Sequence, residues 1–414
     1  MPELKHILFV DDDPSVLDGL RRMLRPMHNE WELSFASSGQ EALEMMTQQP
    51  VDVIVSDMRM PKMNGAQLLE LVQKMYPHVV RLILSGYSDK ELILRSVGPA
   101  HQFLAKPCDT VTLIETVKRS CALRRHLSNP QVLQVVAQIG SLPVLPTVYT
   151  DLVHALGSEN SSIVEVGKII ARDVSMTAKI LHMINSAFFG LRHPVEDLSR
   201  AVMYLGVDTV KSLVLSMSIF TKFDQSTVEE FSIEALHQHC LRVGAIARRI
   251  AQEIPLSRQE QNDAFTAGVL HGIGRLILVS NFRDVYRKAV EESKLLNIRL
   301  TDLEKEKLGT THGELGGYLL GLWGIPDPIV EAVSLHTDPR TSPVRTCGPL
   351  TMVHVANAID RELCHDELPG GGFGYDMQYL QELGVADQLP RWREFAASMV
   401  ESVAQAQVGA LHAE

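Results

Sequence analysis

Cysteine is scarce and poorly spaced for cross-linking: the chain has five, Cys108, Cys121, Cys240, Cys347 and Cys364, with no CxxC pair among them. That pattern excludes a disulfide framework and a zinc knuckle, and it reads as reduced, mostly buried thiols. Positive charge is also in deficit. Lys and Arg number 39 against 50 Asp and Glu, a net charge of -11, which excludes a general nucleic-acid surface because affinity for phosphate backbones comes chiefly from clustered cations. A local phosphate site remains compatible with it. No apolar run is long enough to cross a bilayer, and no basic leader precedes an apolar stretch at the amino terminus. No membrane partner is expected, and the expected location is cytoplasmic.

What the chain does have is length and apolar content. Its 414 residues, 45% hydrophobic and 21% charged, describe a globular protein of two or three domains, each able to bury its own core. From Lys5 to about Arg125, "HILFV", "WELSFA", "VDVIVSD", "VRLILSG" and "HQFLAKP" read as strands. Between and after them "PSVLDGLRRML", "SGQEALEMMTQ", "GAQLLELVQKMY", "KELILRSV" and "DTVTLIETVKRSCALRRHL" carry apolar residues at helical spacing. Five βα units predict a doubly wound α/β domain on a parallel five-stranded sheet, with ligands at the carboxyl ends of the strands.

The residues at those ends are specific. Asp11 and Asp12 follow the first strand, Asp57 the third, Ser85 ends the fourth, and Lys106 follows the fifth. Carboxylates converging on one crevice repel one another unless a hard cation such as Mg²⁺ lies between them. A hydroxyl and an ammonium beside them suit the oxygens of a phosphoryl group, and a carboxylate is a competent nucleophile towards phosphorus. Taken singly, Asp11 to Asp13 also read as a helix-capping run and Lys106-Pro107 as a turn.

These residues resemble the receiver domain of bacterial two-component response regulators over about 4 to 122. The resemblance implies that Asp57 is the phosphoacceptor and that Asp11, Asp12, Asp57 and the main-chain carbonyl of Arg59 hold Mg²⁺. It further implies that Ser85 and Lys106 read the phosphoryl group. Phe103 stands where the family usually has a switch aromatic, without the hydroxyl of the commoner tyrosine; a plain core aromatic is the competing reading.

A break at "SNP" separates this domain, residues 1–125, from a linker over 126–134. The stretches "TVYTDLVHALG", "SIVEVGKIIARD", "SMTAKILHMINSA", "LSRAVMYLG", "VDTVKSLVLSMSIF" and "SIEALHQHCLRVGAIARRIAQEI" then predict an all-α domain over 135–365. The glycines of "LPGGGFGYD" mark a flexible connection, and two short helices are expected in the extension over 366–414, packed on the core or used in self-association. "SLPVLPTVY", "IIARDVSMTAKILHMINSAFFG", "AVMYLGVDTVKSLVL", "DAFTAGVLHGIGRLIL" and "HGELGGYLLGLWGIPDPIVEAVSLH" together resemble the HDOD domain, a helical output module related to HD-type metal phosphohydrolases. Within it Asn185 and Ser186 of "NSAFFG" cap or bridge helices, or belong to a partner surface.

An HD phosphohydrolase needs a histidine, a His-Asp pair and a later aspartate around an ion that activates water. By the resemblance His239 takes the first place and His271 the second, but Gly272 replaces the aspartate of the pair and Asn357 the late aspartate. Two anionic ligands are lost, and the degraded site is expected to be dead for ordinary HD hydrolysis, with no metal expected in this domain. His312 and His336 lie near further ligand positions of the cyclic-dinucleotide phosphodiesterase relatives, with Thr337 where those have another histidine. The four histidines read first as hydrogen-bonded core residues, and otherwise as a cluster able to hold a softer ion such as Zn²⁺.

The expected function is therefore a phosphorelay response regulator whose phosphorylation at Asp57 switches a non-catalytic HDOD domain. Its partners would be a sensor histidine kinase or phosphotransfer protein and a downstream protein. The alternative is a metal-dependent nucleotide or cyclic-dinucleotide phosphohydrolase with an atypical histidine site. A homodimer formed through "FLAKPCDTVTLIETV" is compatible with both.

Overall fold

The computed structural model describes residues 4–76, 79–85, 102–106, 110, 113–114, 117, 130–139, 143, 145–156, 163–185, 195, 197–223, 231–342, 344–364 and 374–411. The chain divides into two compact units, Met1–Val144 with Tyr318–Ile325, and Leu145–Gly317 with Pro326–Glu414.

In the first unit, strands β1 (Lys5–Val10), β2 (Trp31–Ala36), β3 (Val53–Asp57), β4 (Val80–Ser85) and β5 (Gln102–Ala105) form a parallel sheet in the order β2-β1-β3-β4-β5. Helices α1 (Pro14–Met23), α2 (Gly39–Gln48) and α3 (Gly65–Met75) follow the first three strands. Ile7, Leu8, Phe9 and Val10 of β1 and Val53, Ile54 and Val55 of β3 are all buried. Neither face of the sheet meets solvent at these strands, so they read as continuous apolar runs rather than alternating ones. The strand order reverses direction between β1 and β3, which opens a crevice at their carboxyl ends. Most of the segments read as the fourth and fifth helices lie outside the described residues; Thr110, Leu113, Ile114 and Val117 are helical.

Local chemistry fixes the crevice walls. Asp13 caps α1 by accepting the amide of Ser15, and an Asn64–Gln67 capping box starts α3. The amide of Gly65 donates to Met58 O at 3.0 Å, and a Cβ at Gly65 would run into the Asp57 carbonyl oxygen. Glycine is what lets the start of α3 close over the end of β3.

Helix α4 (Pro130–Gln138) begins inside 126–134, so the second half of that linker is helical. Pro130 supplies the fixed backbone angle that suits a first helical turn, and Val132, Val135 and Val136 are buried. The second unit is helical throughout its described residues. It opens with α5 (Thr147–Leu156), α6 (Ile163–Ile170), α7 (Val174–Ile184), α8 (Leu198–Leu205) and α9 (Val207–Phe220), which share a core of Leu152, Val166, Ile180, Val202, Leu213 and their neighbours. There follow α10 (Ile233–Ala251), α11 (Arg258–Leu270), α12 (Ile273–Asn281), α13 (Arg283–Leu296), α14 (Leu300–Leu308), α15 (His312–Leu322), α16 (Asp327–Leu335) and α17 (Pro349–Leu363).

The expectation of two short terminal helices is half right. Helix α18 (Met377–Glu382) is short, but α19 (Leu389–Leu411) runs 23 residues because no Pro or Gly interrupts it between Pro390 and Gly409. It packs back on α10 and α17, with Trp392 fully buried and the Arg249 guanidinium 4.6 Å from the centre of the Phe395 ring. No helix among the described residues is long and apolar enough to cross a membrane.

Candidate functional site

Asp11 leaves the end of β1 and turns into the crevice, only 3% exposed. Its Oδ1 accepts the Asp13 amide at 3.0 Å and its Oδ2 accepts the Lys106 ammonium at 2.6 Å. Asp57 ends β3 and is 8% exposed; its Oδ2 accepts the Arg59 amide at 2.6 Å, and its Oδ1 pairs with the same ammonium. The acidic run is thus split: Asp11 faces the crevice, Asp12 is exposed, and Asp13 is the helix cap. Ser85 ends β4 opposite Ala105, and Phe103 stands opposite Ile83 in β5; the side chains of Ser85 and Phe103 lie outside the described residues, as does Ser186 of "NSAFFG".

Burial raises the Asp57 carboxyl above the usual range, against the hydrogen bond and charge of Lys106 and the Arg59 amide, and the Asp11 charge adds to the rise. Burial alone would lower the Lys106 ammonium, but its bonds to Asp11 and Asp57 carry it above its ordinary value. Two carboxylates therefore share one resident cation. Both oxygens meet at the Lys106 ammonium, and carboxylate oxygens are the hard donors that a small divalent ion takes.

The second site is buried among the helices. His239 lies inside α10, His271 caps the end of α11, His312 starts α15 and His336 caps the end of α16. All four are at most 3% exposed. The rings of His239 and His271 have centres 5.0 Å apart, those of His271 and His336 5.0 Å, and those of His312 and His336 5.4 Å. Glycines make the convergence possible: a Cβ on Gly268 would stand 2.6 Å from Gly244 Cα, and one on Gly274 would run into the His312 carbonyl.

Each ring is anchored from behind through Nδ1. His239 bonds Asp360 Oδ2 at 2.6 Å, His271 the Gly268 carbonyl at 2.7 Å, His312 the Glu304 carboxylate at 2.8 Å, and His336 the Val333 carbonyl at 2.8 Å. Arg242 holds Asp360 through two bonds, at 2.7 and 3.1 Å. Asp360 therefore stays ionised although burial opposes it, and His239 is the neutral partner that donates to it. Arg275, only 4% exposed, is a buried cation whose charge bears on His239, His271, His312, His336 and Glu304 alike. Burial pushes Glu304 up to about 7, with Arg275 pulling the other way.

The donor set of an HD phosphohydrolase does not fit here. A Cβ on Gly272 would lie 2.6 Å from Cys240 Sγ and 3.0 Å from Leu236 Cδ1, so the place of an aspartate is filled by packing. Asn357 Oδ1 is buried with no hydrogen-bond partner, whereas Asp360, one turn further along α17, supplies the carboxylate that reaches His239. Sequence reasoning missed Asp360, Glu304 and Arg275. Only Asp360 left a signal there, an acid three residues after Asn357 on the same helix.

The cluster makes stability depend on pH. Burial holds His239, His271, His312 and His336 below the ordinary imidazole value, so they stay neutral when folded. The unfolded chain takes up their protons as pH falls through about 6.5, so the stability present above that pH is lost below it. Glu304 has the opposite sign and offsets one histidine. The net of three protons corresponds to a loss of up to about 4 kcal/mol per pH unit. Urea midpoints followed by far-ultraviolet circular dichroism should fall steeply between pH 7 and 5; a flat profile contradicts neutral burial of the quartet.

Comparison with known proteins assigns both halves. The family model of the response regulator receiver domain matches residues 7–118, and that of the HDOD domain matches 142–339. The hydrogenase transcriptional regulatory protein HoxA of Cupriavidus necator is 32% identical over 180 residues, covering 40% of this chain and 37% of its own. An uncharacterized protein of Treponema pallidum is 23% identical over 239 residues, covering 57% of this chain and 46% of its own. The chain thus spans less than half the length of these curated relatives. An HDOD domain protein of unknown function from Geobacter sulfurreducens superposes with a TM-score of 0.53 at 20% identity, covering 68% of this chain and 95% of its own, a likeness of fold. The chain thus carries a response regulator receiver domain followed by an HDOD domain.

Proposed function

We propose that Asp57 accepts a phosphoryl group from a phosphodonor protein such as a sensor histidine kinase, and that the HDOD domain answers by binding a protein rather than by catalysis. The observation that carries the first half is the ammonium of Lys106 shared between Asp11 and Asp57. An Asp57 oxygen attacks phosphorus, the donor leaves with the bond electrons, and Lys106 turns to the new phosphoryl charge. Asp11, Asp12, Asp57 and the Arg59 carbonyl would hold Mg²⁺, whose charge offsets that of the transferring group. Ser85, on the strand next to that of Asp57, and Phe103, on the strand beyond it, would carry the change to the surface.

The filled space at Gly272 and the neutral, buried imidazoles support a non-catalytic output. The test compares the full chain loaded with beryllofluoride, a mimic of the aspartyl phosphate, with the Asp57→Asn variant. Proteins from the source cells that bind one form and not the other are the expected result. Identical bound sets would sink receiver control of the output. Hydrolysis of a cyclic dinucleotide that disappears on His271→Gln would replace the binding role with the phosphohydrolase reading.

A further inference from the structure

Where α9 starts beside the first turn of α11, the second unit contains a cavity of about 310 Å³. Ligand-binding pockets run from roughly 300 to 1,000 Å³, so this one has room for a small metabolite. Leu205 and Thr209 at its floor are buried, and Arg258 and Gln259 at its rim are exposed. The walls are tied together: Ser212 of α9 and Thr266 of α11 share a hydrogen bond at 2.7 Å, and Asn262 donates to Asp208 Oδ2 at 3.3 Å. Among the described residues no carboxylate pairs with the Arg258 guanidinium, whose Nη2 lies 3.8 Å from the place of a Cβ on Gly206. Gly206 flanks the start of α9 at a φ of 84°, and no side chain caps that helix, so the amides of its first turn are open to a guest.

The same cavity offers acceptors. Carboxylates only accept, so the side-chain nitrogens of Gln259 and Asn262 face Asp263 Oδ1 at 2.9 Å and Asp208 Oδ2 at 3.3 Å. Their carbonyl oxygens turn the other way and have no partner among the described residues. The Asp208 carboxylate also lines the cavity, with Lys211 Nζ 3.2 Å from its Oδ1. A simple anion entering here meets Asp208 and two carbonyl oxygens, and a simple cation meets Arg258 and the positive end of α9. A guest with both charges side by side gives each group its opposite.

We propose that this cavity binds a small zwitterion, a free α-amino acid. Its carboxylate lies on Arg258 and the open amides of α9. Its ammonium lies on Asp208 and the carbonyl oxygens of Gln259 and Asn262, and its side chain packs on Leu205 and Val207. This inference is independent of phosphorylation at Asp57 and of the protein partner proposed for the output.

The full chain is screened against the common free amino acids, singly, by thermal shift, and those that raise the midpoint are titrated by calorimetry. At least one is expected to bind once per chain with a Kd of about 1 mM or tighter. Its methyl ester, which lacks the carboxylate charge, and its N-acetyl derivative, which lacks the ammonium, should each bind about tenfold more weakly or worse. Arg258→Gln and Asp208→Asn should each weaken binding of the free amino acid by about ten- to a hundredfold, with circular dichroism confirming that both variants are folded. Absence of binding by every amino acid in the unaltered chain overturns the proposal without any variant. So does an N-acetyl derivative or inorganic phosphate that binds as tightly as the amino acid, which makes the cavity an anion site, and so does affinity unchanged in both variants.

Discussion

Asp57→Asn is expected to bring phosphoryl incorporation from acetyl phosphate down to background, and Lys106→Met to slow it by about a hundredfold or more. The asparagine keeps the shape and an oxygen for the Arg59 amide, but it loses the charge that makes the carboxylate a nucleophile. Removing Lys106 does something different: it leaves Asp11 and Asp57 facing each other without their shared cation. Repulsion then builds as phosphate approaches. Asp57 is held above the usual carboxylate range by burial and by Asp11, so ionised Asp57 is itself a cost to the fold. The Asp57→Asn variant should therefore be no less stable than the parent, which separates loss of chemistry from loss of structure. Intact-mass measurement after incubation with the donor reads the result. Incorporation that persists in Asp57→Asn would place the acceptor elsewhere.

Asp360→Ala is expected to cost about 3–5 kcal/mol, the range for breaking a buried ion pair from one side. The carboxylate is 1% exposed and accepts from His239 Nδ1 and from two nitrogens of Arg242. Its loss leaves the His239 N–H without its acceptor and removes two bonds from Arg242. Asn357→Ala is the informative neighbour, because Asn357 Oδ1 has no hydrogen-bond partner to lose and its change should cost clearly less. Urea unfolding of both variants, followed by circular dichroism, gives the comparison. Equal losses would show that the helix is sensitive to packing alone and that the Asp360 pair adds nothing.

The sheet was legible because its strands are buried on both faces, so β1 and β3 stand out as unbroken apolar runs ending in acids. The crevice followed from strand order, since Asp57 ends a strand of a parallel sheet and Asp11 and Lys106 each sit one step beyond one. The helix that begins within 126–134 was not read because "SNP" ends one segment and Pro130 also begins a helix. The long α19 was expected to be short; Pro390 occupies its first turn, where its missing N–H costs nothing, and no further Pro or Gly follows until Gly409. The histidines could be named through resemblance, but what holds them could not. His239 and Asp360 are 121 residues apart, and periodicity carries no information about a pairing at that separation. Arg275 was hidden for another reason: an arginine following an apolar run reads as surface charge, and only burial against five titratable groups reveals it.

The sulfur of Cys240 and the isobutyl group of Leu236 occupy the volume that a side chain at residue 272 would need. A Gly272→Asp change would press a carboxylate against both, so a return to a His-Asp pair needs these two side chains to shift or shrink with it. Shrinking either residue alone opens a hole in a tightly packed core and costs stability. Packing thus works as a ratchet: it adds a barrier to reversal beside the missing ligand.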